Sequence, residues 1–105
     1  MLLLEEQSDN AVIGYYDSSN VIASKYIPSE KKLAVIFAKG HQYVYENVLP
    51  YHYQRFKLAP SQGKSLTEHI INNYAGTKAQ LKLSEDLLSQ IKEKIQALKN
   101  QSKLG

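Results

Sequence analysis

The side chains of this chain with the clearest chemical use are two tyrosines one residue apart, Tyr43 and Tyr45, and the cations that follow them, Arg55, Lys57 and Lys64. Exposed aromatic rings stack on nucleobases and neighbouring cations contact phosphates, so this combination suits a nucleic-acid surface. The tyrosines have an ordinary alternative as core residues, because an aromatic body whose hydroxyl finds a partner is common packing. Catalysis has less to draw on. His41, His52 and His69 lie at spacings that match no metal motif on one helix face, and no acid, base and nucleophile form a recognisable set. The expectation is a protein that is not an enzyme, with no catalytic residue, no metal ligand and no cofactor. The run GKS at residues 63–65 does not make a phosphate loop: Leu58 stands where that loop needs a glycine, and a helix is predicted where it needs a strand. Gly63 and Lys64 still precede an expected helix N-terminus, where unpaired N–H groups can hold an anion.

Composition sets the frame for these residues. A chain of 105 residues suffices for one domain with a single core. It has no cysteine, which removes disulfides, thiolate zinc sites and cysteine nucleophiles and makes a reducing, cytoplasmic setting the expectation. The start, MLLLEEQSDN, has an apolar patch followed at once by Glu5 and Glu6, which fits neither a signal peptide nor a membrane span, so no membrane partner is expected. Net charge is +3, and the surplus lies in the C-terminal part: residues 1–62 hold six Lys or Arg against six Asp or Glu, residues 63–105 seven against four. Arg55 is the only arginine, which argues against reading of specific base sequences and leaves RNA or another polyanion as the nucleic-acid class to consider.

The elements that must position these residues begin with a hairpin. Leu33, Val35 and Phe37 alternate with Ala34, Ile36 and Ala38, as a pleated, mostly buried strand requires. A three-residue loop of Ala38, Lys39 and Gly40 needs positive φ only at glycine. That register sets Val35 opposite Tyr43 and Leu33 opposite Tyr45, on the most apolar face of the hairpin. Residues 21–27 form a preceding strand, giving a three-stranded antiparallel meander of 21–27, 33–38 and 41–47. Residues 1–10 read as an arm and 11–16 as an irregular extended entry interrupted by Gly14. Pro50 opens a helix that Pro60 ends, with Tyr53 and Phe56 facing the sheet. Ser65 and Glu68 fit a capping box for the next helix, which buries Leu66, Ile70 and Tyr74 and ends near Gly76. A last helix is capped by Ser84 and carries an apolar stripe of Leu88, Ile91, Ile95 and Leu98. The stripe must pack on its own domain or on a partner, a second copy of the chain included. The fold class expected is α+β: a three-stranded antiparallel β-meander followed by packed helices, with an extra C-terminal amphipathic helix. Its divisions are an arm (1–17), a central domain (18–75) and a C-terminal extension (76–105).

Residues 18–74 resemble the KTSC domain, a small module found alone in bacterial and phage proteins and at the C-terminus of some lysyl-tRNA synthetases. The resemblance is carried by Ser18, Ser19 and Asn20, Tyr26, Leu33, Val35, Phe37 and Gly40, and then by the central pair Tyr43 and Tyr45. It continues through Val48, Pro50, Ala59, Ser61, Gly63 and Lys64 to Ile70 and Tyr74. The chain departs from the pattern at Ser65 and Leu66, where aromatics are frequent, and at Ile71, where a basic residue is usual. The resemblance implies a binding module and, through the synthetase attachment, RNA as ligand. The C-terminal helix supports a second expectation, a phage or mobile-element accessory protein in the host cytoplasm or the virion. Such a protein would dock on a host protein or larger assembly through Leu88, Ile91, Ile95 and Leu98.

Overall fold

Five strands follow one another as an antiparallel meander: β1 (Leu2–Ser8), β2 (Ala11–Tyr16), β3 (Val21–Ile27), β4 (Lys32–Phe37) and β5 (Gln42–Tyr45). A two-residue strand, β6 (Gly76–Thr77), pairs with β5 at the far edge. Helix α1 spans Pro50–Leu58, α2 spans Gln62–Ser65 and runs on as a π-helical segment over Leu66–Ile71, and α3 spans Glu85–Leu104. The computed structural model describes residues 1–74, 76–77 and 82–104, with side chains described within 1–74 and 82–101.

The α+β class and the antiparallel meander are as expected, but the sheet exceeds the expected three strands because the first sixteen residues join it. Ser8 pairs with Ala11 across Asp9 and Asn10, and Asp9 sits at φ 46, a conformation aspartate tolerates better than most residues. Gly14 does not break β2. A Cβ there would lie 2.8 Å from the Tyr16 hydroxyl oxygen and 3.3 Å from Ser24 Oγ, so glycine makes room for the 2.7 Å hydrogen bond between those two groups.

Successive strand residues point to opposite faces, and adjacent pairs reveal what covers each. Glu5 pairs with Lys57 of α1 at 2.6 Å, while its neighbour Glu6 pairs with Lys94 of α3. Tyr16 packs edge-on against Phe56 of α1 at 5.6 Å, while the Lys94 ammonium lies over the Tyr15 ring at 4.7 Å. The sheet is thus the middle of three layers, with α1 and α2 on one face and α3 on the other. The main core fills the first interface: Tyr16, Val21, Tyr26, Leu33, Val35, Tyr45, Val48, Tyr53, Phe56, Leu66 and Ile70. Tyr53 and Phe56 face inward as their spacing predicts.

Two helix boundaries differ from expectation. Helix α2 begins a turn earlier than the capping box suggests: Ser61 is its N-cap, accepting from the Lys64 amide at 3.5 Å, while Ser65 is buried and donates to the Arg55 carbonyl at 3.3 Å. The π-helical segment ends at Ile71 with Asn72 as its cap, and Gly76 lies in β6 instead. Helix α3 does begin as expected, with Ser84 Oγ accepting from the Leu87 amide at 3.2 Å. Its stripe lies toward the back of its own sheet: Ile95 is buried, Leu88, Ile91 and Leu98 are half-buried, and Leu88 approaches Gly40.

Candidate aromatic groove

The hairpin between β4 and β5 sets the geometry of the site. Gly40 takes φ 95, its amide donates to the Phe37 carbonyl at 2.8 Å, and the Phe37 amide donates to the His41 carbonyl at 2.9 Å. Val35 pairs with Tyr43 and Leu33 with Tyr45, so Phe37, Tyr43 and Tyr45 share the face that α1 and α2 cover. Tyr45 is only 4% exposed and belongs to the core, and its burial raises the pKa of its hydroxyl. Tyr43 is half-buried and meets Phe37 edge-on at 5.2 Å. The preceding turn is bolted to this hairpin. Ser18 Oγ accepts from the amides of Asn20 and Val21, and the Asn20 carbonyl accepts from the Ala38 amide at 2.8 Å.

Helix α2 supplies the opposite wall. Its π-helical end brings Ile71, 48% exposed, and Tyr74 alongside the hairpin. The Tyr74 hydroxyl accepts the Leu49 amide proton at 3.0 Å and shares a 2.6 Å hydrogen bond with His52 Nδ1, which ties this wall to the start of α1. Between the walls lies an open groove of about 710 Å³. Phe37, Tyr43, Tyr45, Ile71 and Tyr74 give it apolar surface, and Ser19, Asn20, Lys39 and His41 bring polar groups. No carboxylate lines it among the described residues. A volume of this size, mostly aromatic with a few convergent polar groups, is what small planar ligands enter.

The residues singled out in the sequence are distributed unevenly around this groove. Tyr43 and Tyr45 line it together. Lys57, grouped in the sequence with Arg55 and Lys64 as a phosphate contact, faces inward: it is buried, paired with Glu5 and placed 5.1 Å from the Tyr53 ring centroid. Arg55 is exposed on α1 with its guanidinium 4.7 Å from the Tyr51 ring centroid. Lys64 is exposed beside a separate hollow of about 210 Å³ shared with Ser61, Glu68 and His69. The sequence reading missed Phe37, Lys39, His41, Ile71 and Tyr74 as groove residues. The signal for Lys39 and His41 is their place in the loop beside Tyr43, whereas Tyr74 reads as plain helix core. Among the described residues no three His, Cys, Asp or Glu side chains gather as a metal site, and no helix is long and apolar enough to cross a membrane.

Sheet, helices and groove define a small α+β protein in which a hairpin and the end of a helix frame an aromatic cleft. Residues 17–74 match the KTSC domain, and the chain belongs to that family. The matched stretch holds β3 to β5, α1, α2 and every described residue lining the groove, while β1, β2 and α3 lie outside it. The chain is also similar to the crystal structure of a KTSC domain protein from Yersinia pestis, with a TM-score of 0.57 and 25% identity, covering 61% of this chain and 90% of that one. No curated protein matches the chain.

Proposed function

We propose that the protein is a non-enzymatic binding module whose aromatic groove receives an unstacked base of single-stranded RNA. The observation that carries this reading is the groove itself, with Phe37, Tyr43 and Tyr74 as aromatic surfaces and no carboxylate among its described lining residues. Every base has a π-face, so aromatic walls hold bases without strict sequence preference. The Asn20 side-chain amide offers both donors and an acceptor to a base edge, and Lys39 stands exposed at the mouth where a phosphate would pass. The alternative, docking on a protein through Leu88, Ile91, Ile95 and Leu98, has less support because that stripe lies toward the domain's own sheet.

The test is fluorescence anisotropy of a labelled uridylate dodecamer titrated with the protein at increasing potassium chloride. Binding by one to three phosphate contacts predicts a log–log salt slope of about −0.7 to −2. Tyr43→Leu keeps the wall apolar but removes its ring, and weakens binding about tenfold. Absence of binding at low salt, or wild-type affinity in a folded Tyr43→Leu protein, would overturn the proposal.

A further inference from the structure

The start of α1 presents aromatic groups that the core does not use. Tyr51 is 58% exposed, and Arg55, one helical turn on, sets its guanidinium over one face of the ring and holds it in place. His52 lies between this pair and the groove. Its ring is 5.3 Å from Tyr51 at 66° and 5.4 Å from Tyr74 at 77°, and it is hydrogen-bonded to the Tyr74 hydroxyl. Tyr74 is itself a wall of the groove. Rings therefore continue from Tyr74 across His52 to Tyr51, and Phe37 and Tyr43 line the groove that Tyr74 walls.

The charge along this succession has one sign. Helix α1 contains no acidic residue, and no carboxylate lies within ion-pairing distance of Arg55 among the described residues. With Lys39 at the far end, a cation stands at each end of the path, and no carboxylate lines the groove among the described residues. A guanidinium already fixed on a tyrosine face presents its planar fork with little further loss of rotamer freedom, and that fork matches a phosphate.

We infer that Tyr51 and Arg55 form a second subsite for the same strand. One base enters the groove, the backbone crosses Tyr74 and His52, and a further base stacks on Tyr51 with an intervening phosphate on Arg55. This inference rests on the groove reading, and the experiment separates the two. The full ¹⁵N-labelled chain is titrated with uridine monophosphate and with a uridylate dodecamer, and amide shifts are followed by NMR. The mononucleotide is expected to shift groove residues such as Asn20, Lys39 and Tyr43, and the dodecamer to shift Tyr51 and Arg55 as well. Arg55→Gln and Tyr51→Ala, both at exposed positions, are expected to weaken the dodecamer about tenfold while leaving the mononucleotide shifts unchanged. Dodecamer shifts confined to the groove, or dodecamer affinity unchanged in both variants, would overturn the second subsite and leave the groove reading standing. Shifts at the groove with neither ligand would overturn both.

Discussion

Tyr26 and Tyr53 stack in the core with ring centroids 4.2 Å apart, yet their hydroxyls end differently. Tyr26 donates to the Val48 carbonyl at 2.6 Å, whereas the buried Tyr53 hydroxyl has no partner among the described residues. A buried polar group without a partner loses hydration with no return, so Tyr53→Phe should leave stability unchanged or raise it by up to about 1 kcal/mol. Tyr26→Phe should cost about 1–2 kcal/mol by orphaning a buried carbonyl. Urea midpoints compare the two directly. Burial also raises the hydroxyl pKa of Tyr16 and Tyr53 above the ordinary tyrosine value. The neutral form is then favoured in the folded protein, so the associated stability is fully present below about pH 10, the ordinary tyrosine pKa, and is lost as pH rises beyond it. Denaturant midpoints should hold to about pH 9 and fall above about pH 10, and midpoints flat through that range would contradict the burial. At this scale the Gly40 loop was legible because only one residue near it takes positive φ without strain. The inward turn of Lys57 was not, because its partner Glu5 lies 52 positions away in the chain.

The elements differ in how much of their stability their own residues advertise. Strands β3 to β5 and the Ser84 cap announce themselves through alternation and capping chemistry. Strand β1 does not, since Glu5, Glu6, Gln7 and Ser8 are poor strand formers that acquire order through tertiary contacts, by pairing with β2 and with the lysines of α1 and α3. The α2 start was misread because Ser61 and Ser65 are both competent caps, and only the Arg55 carbonyl decides which hydroxyl is engaged elsewhere. The two glutamates of β1 give a test of the layering. Lys57 keeps 10% of its side chain exposed and Lys94 41%. Glu5→Ala leaves a buried ammonium unpaired and should cost about 2–3 kcal/mol. Glu6→Ala opens a solvated pair and should cost less than about 1 kcal/mol. Equal losses in chemical denaturation would contradict the placement of α1 and α3 on the two faces.

As a whole, the molecule separates its duties by face. The layer of α1 and α2 builds the groove, and α3 closes the back of the sheet. Ile95→Ala on that back face should cost about 2–4 kcal/mol in unfolding free energy while leaving dodecamer affinity unchanged, a pair of readouts from one variant. The groove was only half legible in the sequence. Tyr43 and Tyr45 stood out by spacing, but the cleft needs three separate segments, around Asn20, the hairpin of Lys39 and Tyr43, and Tyr74, whose meeting depends on the Asn20–Ala38 hydrogen bond and the π-helical end of α2. Net charge is no guide either, because the surplus counted in the C-terminal part does not mark the carboxylate-free path along α1. The most direct measurement is ultraviolet cross-linking of the intact protein to a 4-thiouridine oligonucleotide, with mass-spectrometric mapping of the attached peptides. The groove reading predicts cross-links within residues 37–45 and 71–74. Cross-links confined to α3 or to β1 and β2, or none at all, would contradict it.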